Sequence, residues 1–330
     1  MIENKKASII LVLNVLKEYS DDDHFLTHQN IIDKIQELYN IELERKSIAS
    51  SISLLQELDY DIVKSPKGGF ALVNRTFIKS EAQFIVDSLF SSKSINGKMA
   101  YELANRVNSC LSKYQRKDYN YNYKAYDVNR SKTSEILLNL EIIEEAKKLG
   151  KRISFQYLYY NEDGKLDVKF NGFRYIVSPY YQVNSNGKYY LICNYREKYN
   201  PIQIFKFDYM VNVKVEDTWP IKPINDVLKG EKFDLAKYLN DNIYLLDGEV
   251  INAVIEIENH NTIPSIIDNF GDNAKIYKKD DKLYASIRSN ENALFYWYMQ
   301  YSENLKIVSP ISLIEKVKNE ALHIIKKYSD

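Results

Sequence analysis

The sequence predicts a multidomain α+β protein, and three observations carry that prediction. Residues 5–78 hold three helical apolar repeats followed by two short strand-like runs around a Gly-Gly turn. Residues 153–215 hold several short runs of strand period, cut by Asn-Gly and Asp-Gly pairs. Residues 225–330 alternate between strand and helix patterns. A chain of 330 residues is expected to divide into about two or three cores. The composition shifts place boundaries after residues 78, 150 and 220. Hydrophobic residues make up 45% and charged residues 27%, as in an ordinary folded protein.

In the first segment Ile9, Val12, Leu13 and Leu16 recur at helical spacing, and Asp21-Asp22-Asp23 reads as a solvated stop. Thr27 is placed to cap a second helix, His28 to Tyr39, with Ile31, Ile32, Ile35 and Leu38 on its apolar side. A third helix, Glu44 to Leu58, repeats Ile48, Ile52 and Leu55. Strands follow at Tyr60 to Lys64 and Phe70 to Val73, around Ser65-Pro66-Lys67-Gly68-Gly69. This order is that of a winged helix-turn-helix, in which the second helix of the pair enters the major groove of DNA. Lys46, Ser50 and Ser53 would then face base edges, Arg45, Lys64 and Lys67 would meet phosphates, and Ser47 belongs to the same DNA-binding set. A helical protein-interaction module is the competing reading of the same helices. Residues 1–70 carry eight Lys/Arg against twelve Asp/Glu, a net charge of −4. Such a domain binds DNA weakly alone, so a homodimer is expected to double its contacts.

Residues 79–150 read as helices (from Ser80, from Lys98 to Tyr114, and from Thr133) around a Tyr- and Asn-rich linker at 117–130. In the last helix Ile136, Leu137, Leu140, Ile143 and Ala146 form one stripe, and Gly150 ends it.

In the central segment Ile153, Phe155, Tyr157 and Tyr159 alternate with Ser154 and Gln156. Asn161-Glu162-Asp163-Gly164 and Asn184-Ser185-Asn186-Gly187 are hairpin turns in the making. Four or five short strands in so few residues point to a small antiparallel barrel. Four pieces here resemble WYL domains. Asn186-Gly187-Lys188-Tyr189-Tyr190-Leu191 resembles that family's core motif, with Tyr189 in the Trp position. Ile153 to Tyr157, Val177-Ser178-Pro179-Tyr180 and Phe205 to Met210 resemble its opening, second and closing strands. Further on, Trp297 and Ile307 to Leu313 resemble the extension that follows many WYL domains, and the first segment resembles DeoR-type winged helices. There it departs at Ser50-Ser51, where that type often carries Arg-Arg-Asp.

The resemblance implies an Sm/SH3-like barrel, a C-terminal α/β extension, and a regulator of transcription. It implies a homodimer on a double-stranded operator, most often a repressor, whose barrel senses a nucleotide or single-stranded nucleic-acid ligand. Some members govern phage-defence genes. The alternative is a nucleic-acid-binding accessory protein that modulates a defence enzyme. The family's closing strand lines a basic pocket with arginines; this chain has Gln203, Lys206 and Tyr209 there. The ligand is therefore expected to meet Lys206, Arg196 and Asp208 and to stack on Tyr157, Tyr190 and Tyr209. Along that closing strand Lys206 and Asp208 would share one face and Phe205 and Phe207 the other; the competing reading is that Lys206 only snorkels from a small barrel and pairs with Asp208.

No Gly-rich phosphate loop or Gly-x-Ser-x-Gly elbow is present, and the four histidines are scattered, so neither catalysis nor a bound metal or cofactor is expected. Cys110 and Cys193 are too few for a disulfide framework or zinc site and read as buried small hydrophobes. No apolar run approaches ~20 residues, so no membrane span is expected. Ser8 to Leu13 runs on into a helix without a cleavage site, so the protein is expected in the cytoplasm.

Overall fold

The computed structural model describes residues 4–116, 135–195, 201–246 and 248–329. The expected linker at 117–130 and the candidate Arg196 lie outside them. The chain is a mixed α and β protein with two compact units, Met1–Ile136 and Leu137–Asp330.

The first unit opens with helices α1 (Asn4–Tyr19), α2 (His28–Tyr39) and α3 (Arg45–Glu57), then strands β1 (Ile62–Lys64) and β2 (Phe70–Leu72). Leu16, Ile31, Ile35, Ile48 and Leu55 are fully buried between the helices, each worth about 1.5–3 kcal/mol of transfer free energy. Thr27 caps α2 as expected: its hydroxyl accepts the Asn30 amide at 3.2 Å, and the Asn30 side chain accepts the Thr27 amide at 3.0 Å. Ser51 is buried, and its hydroxyl bonds the Ser8 hydroxyl at 3.1 Å, tying α3 to α1. The hairpin is not free-standing. The Leu26 and Phe70 backbones exchange two hydrogen bonds, at 2.9 and 2.8 Å, which fasten β2 to the entry of α2. Gly69 permits this approach: its φ is +94°, and an added Cβ would lie 3.2 Å from the Leu26 carbonyl and from Phe25 Cβ.

Helices α4 (Lys79–Ser91), α5 (Gly97–Asn108) and α6 (Lys113–Arg116) complete this unit. The single helix expected over Lys98 to Tyr114 is thus two, broken after Asn108. Asp21 is not the solvated stop that the sequence suggests. It is 4% exposed, and it accepts hydrogen bonds from Ser112 Oγ (2.5 Å) and the Asp23 amide (3.1 Å), with His24 Nδ1 2.6 Å away. Burial pushes its carboxyl up, but these bonds outweigh burial and hold it below the usual carboxylate range.

The second unit begins with α7 (Ile136–Lys148) and strands β3 (Lys151–Tyr160), β4 (Leu166–Val168), β5 (Arg174–Ser185), β6 (Lys188–Asn194), β7 (Gln203–Lys206) and β8 (Met210–Pro220). All pair antiparallel in the order β4-β3-β5-β6-β7, with β8 also on β3. Asn186 (φ 51°) and Gly187 (φ 73°) make the β5–β6 turn, both in the left-handed region that a two-residue hairpin of this hand requires. The buried stripe of α7 runs Ile136, Asn139, Ile143 and Ala146, while Leu137 is exposed, contrary to the sequence reading. Asn139 occupies its place because its amide donates to the Met210 carbonyl at 3.0 Å.

After β8 come α8 (Ile224–Val227), α9 (Leu235–Asp241), β9 (Val250–Ile257), α10 (Ile263–Phe270), β10 (Ala274–Lys279), β11 (Lys282–Asn290), α11 (Glu291–Tyr301), β12 (Leu305–Ser309) and α12 (Ile311–Lys327). The sheet order is β10-β11-β9-β12, all antiparallel, and Trp297 is buried against Phe270 with ring centroids 4.8 Å apart. The α12 stripe is used only at its start. Leu313 is buried and Ile314 and Val317 partly so, whereas Ala321 and Ile324 are exposed. Cys193 is buried, and desolvation pushes its thiol far up; Cys110 is only half-buried, contrary to expectation, and its thiol donates to the Arg106 carbonyl. Among the described residues no helix is long and apolar enough to cross a membrane.

Replacing Gly69 by alanine imposes both a strained φ and a contact with Leu26. Gly69→Ala is expected to lower the unfolding free energy by about 1–3 kcal/mol. Gly68→Ala has the same φ in open space and should cost less. Urea denaturation of the two variants checks the order.

Candidate functional site

Two groups of side chains are candidates, one in each unit. In the first unit the core residues Ile48, Ile52 and Leu55 turn one face of α3 inward, which leaves Arg45, Lys46, Ser50 and Ser53 exposed and Ser47 half-buried. Lys64 at the end of β1 and Lys67 in the turn are exposed as well. Among the described residues no ion pair holds Arg45, Lys46, Lys64 or Lys67, so their charge is available to an anion. His28, which the sequence reading passed over, belongs here too. Partial burial, then the charges of Arg45 and Lys64, press its imidazole below the ordinary histidine range. A signal was available: His28 directly follows the cap Thr27 and so sits at the mouth of the helix pair.

In the second unit the register places Tyr190 on β6 directly opposite Lys206 on β7. Lys188, two residues before Tyr190, shares its face. The expected single closing strand from Phe205 to Met210 is interrupted, contrary to the sequence reading. β7 ends at Lys206, and Phe207–Tyr209 form a 3-10 turn before β8 begins. Phe207 and Asp208 are both buried on that turn, so the predicted alternation of faces holds only as far as Lys206. Asp208 still meets Lys206, at 3.7 Å, but its nearer partner is Lys188, at 2.7 Å. Lys188 is the residue that sequence reasoning missed. Its alternation with Tyr190 could have flagged it.

Around this ion pair stands a cluster of rings. Tyr157 packs edge-on to Phe205 (5.3 Å), Tyr209 (5.7 Å) and Tyr175 (6.2 Å). Tyr209 reaches Tyr160 at 6.3 Å, and Lys206 Nζ lies 5.3 Å from the Tyr209 ring centre. The Tyr157 hydroxyl accepts the Lys206 amide at 3.1 Å, which leaves its own O–H able to donate. Burial pushes that phenol up to about 12, so the proton stays on at neutral pH. Tyr190 and Tyr209 are also pushed up, by desolvation first and by the Asp208 charge. The structure therefore brings together Tyr157, Tyr190, Lys206, Asp208 and Tyr209, and adds Lys188. Chemically, this group offers two ammonium groups, one carboxylate, phenol donors and half-buried ring edges. That chemistry suits an aromatic ligand with about one negative charge.

A cleft of about 700 Å³ lies elsewhere, in the first unit, bordered by Asp21, His24, Arg75, Phe77, Gln83 and Tyr114. It contains none of the predicted ligand residues. Among the described residues no group of three or more His, Cys, Asp and Glu is placed to hold a metal ion.

No family model matches the sequence, and no curated protein matches it. Among solved structures, proteasome accessory factor B/C (PafBC) of Arthrobacter aurescens aligns with 98% of this chain at 13% identity and a TM-score of 0.30. This chain spans about half, 49%, of its length. A CRISPR Cas-related protein aligns with 98% of this chain and 84% of its own at 13% identity and a TM-score of 0.38. At such scores neither likeness bears on function.

The Asp208 carboxylate depends on its cations. Lys188→Met is expected to destabilise the second unit by less than the about 3–5 kcal/mol of breaking a buried pair outright, because Lys206 remains. Adding Lys206→Met should cost more than that change does alone, a coupling that a double-mutant cycle in urea reads directly.

Proposed function

We propose that the protein is a ligand-responsive, DNA-binding regulator of transcription. The observation that carries this reading is the surface formed by α3 and the hairpin. Arg45, Lys46 and two exposed serines lie on a helix whose opposite face is the core of a three-helix unit, Lys64 and Lys67 lie on the hairpin beside it, and none of the four cations has an ion-pair partner among the described residues. In this reading the unit is a winged helix-turn-helix. Lys46, Ser47, Ser50 and Ser53 meet base edges, and Arg45, Lys64 and Lys67 meet phosphates. The cluster of Tyr157, Lys188, Tyr190, Lys206, Asp208 and Tyr209 is the sensor, in a WYL-type barrel, and its ligand is a nucleotide or short single strand. Occupancy of that site changes the affinity for an operator, which the protein holds as a homodimer and represses. Apolar side chains left in water on α4 (Phe84), α5 (Tyr101) and α12 (Leu322, Ile325) support a second copy as the partner.

Selection of genomic duplexes with the full-length protein tests the reading: discrete promoter fragments are expected. Lys46→Ala and Ser50→Ala should relax base preference, by about 1–3 kcal/mol for each lost base contact. Lys64→Ala with Lys67→Ala should weaken binding to every duplex and flatten its salt dependence. Equal affinity of that double variant at every salt concentration would remove the hairpin from the interface. Co-purification of an enzyme without DNA would favour an accessory protein instead.

The sensor is tested separately. Lys206→Ala and Tyr190→Ala should keep operator affinity but lose the response to nucleotides or short oligonucleotides, measured by titrating each into the preformed complex. Sedimentation at micromolar concentration checks the dimer.

A further inference from the structure

The entry of α2, the start of α3 and the end of β1 bring three nitrogen-bearing side chains to one place. His28 is the first residue of α2, and its ring stands edge-on to that of Phe70, with centroids 5.0 Å apart. Phe70 is held on both sides. Its backbone exchanges two hydrogen bonds with Leu26, and its register partner across the hairpin is Lys64. Gly69 allows that approach, so Lys64 and His28 are set by backbone pairing. From α3 the facing charge is Arg45 and from the hairpin Lys64, both exposed and both acting on the His28 ring. Along α2 itself the nearest carboxylate C-terminal to His28, Asp33, is engaged by the Gln29 amide at 2.8 Å. Two permanent cations thus face a third group whose proton they repel. An anion seated between them would reverse that balance.

We propose that His28, Arg45 and Lys64 clamp one backbone phosphate of duplex DNA, and that closing the clamp takes up one proton from solvent onto the His28 imidazole. The clamp rests on the DNA-binding reading above. It gives that reading a pH sensitivity. In the free protein partial burial and the two cations weaken the imidazole's hold on its proton; beside a phosphodiester oxygen that hold strengthens, and the imidazolium donates a charge-assisted hydrogen bond. The DNA-bound state then holds more protons than the free state between the two histidine values. Affinity must therefore rise as pH falls through that window and level off on either side of it. One proton limits the slope to about tenfold per pH unit.

The experiment is fluorescence anisotropy of the full-length protein on a labelled mixed-sequence duplex, at constant ionic strength, across the histidine range around about 6.5. The parent should bind more weakly as pH rises. His28→Gln should lose the slope and match the alkaline arm of the parent. His28→Lys, with a permanent charge, should hold an affinity near that of the acid arm at every pH. Adding duplex should also raise the pH at which the His28 imidazole resonances titrate. If His28→Gln keeps the slope of the parent, or if those resonances titrate at an unchanged pH, the clamp is overturned while the DNA reading stands. If the parent binds no duplex at any pH, the DNA reading itself falls and the clamp with it.

Discussion

The backbone of β3 is the constraint on which the second unit is built. Each buried amide and carbonyl of a strand needs a partner, and β3 finds them in three neighbours. Ile153 to Gln156 pair with β5, Leu158 to Tyr160 pair with β4, and the other edge takes β8. With both edges in use, β8 must arrive so that Met210 lies opposite Tyr157. The chain leaving β7 therefore has to turn at once, and it does so through Phe207–Tyr209. That turn carries Asp208 inward and sets the Lys206 amide on the Tyr157 hydroxyl. The candidate cluster follows from strand pairing, and the ion pairs compensate a carboxylate that the pairing buried.

Local chemistry was legible in the sequence wherever a single residue has few conformational choices. Thr27 announced the start of α2, Asn186-Gly187 the β5–β6 turn, and the period of Ile48, Ile52 and Leu55 the inward face of α3. Features set by distant partners were not legible. Phe205 to Met210 alternates like a strand, and only the pairing of β8 with β3 interrupts it. Asn139 is polar in a buried stripe because its partner, the Met210 carbonyl, lies 71 residues away. Asp21 looked like part of a solvated acidic run, and Ser112, 91 residues on, makes it a buried acceptor. The candidate surface of the first unit was readable because exposure is the complement of helical period. The pairing of Lys188 with Asp208 was not, because it needs the fold of two strands and a turn.

The two candidate surfaces differ in how their charge is held. On the first unit no ion pair among the described residues holds Arg45, Lys46, Lys64 or Lys67, a surface that would suit a polyanion met over many residues, with a contact sensitive to salt. On the second unit Lys188 and Lys206 already share Asp208, so the three groups together carry one net positive charge. A ligand there has to compete with the carboxylate or share its cations, and its ring must contribute through stacking. A site with that balance of charge would discriminate by shape and aromatic face more than by charge.

The two cysteines have a practical consequence of their own. Cys193 is buried, and its thiol is held in the unreactive protonated form, whereas Cys110, just past the end of α5, is only half-buried. A maleimide fluorophore added to the folded protein should therefore attach to Cys110 in preference, without any engineered residue. Its emission would report on the helical part of the first unit, and delayed labelling of Cys193 would time the opening of the second.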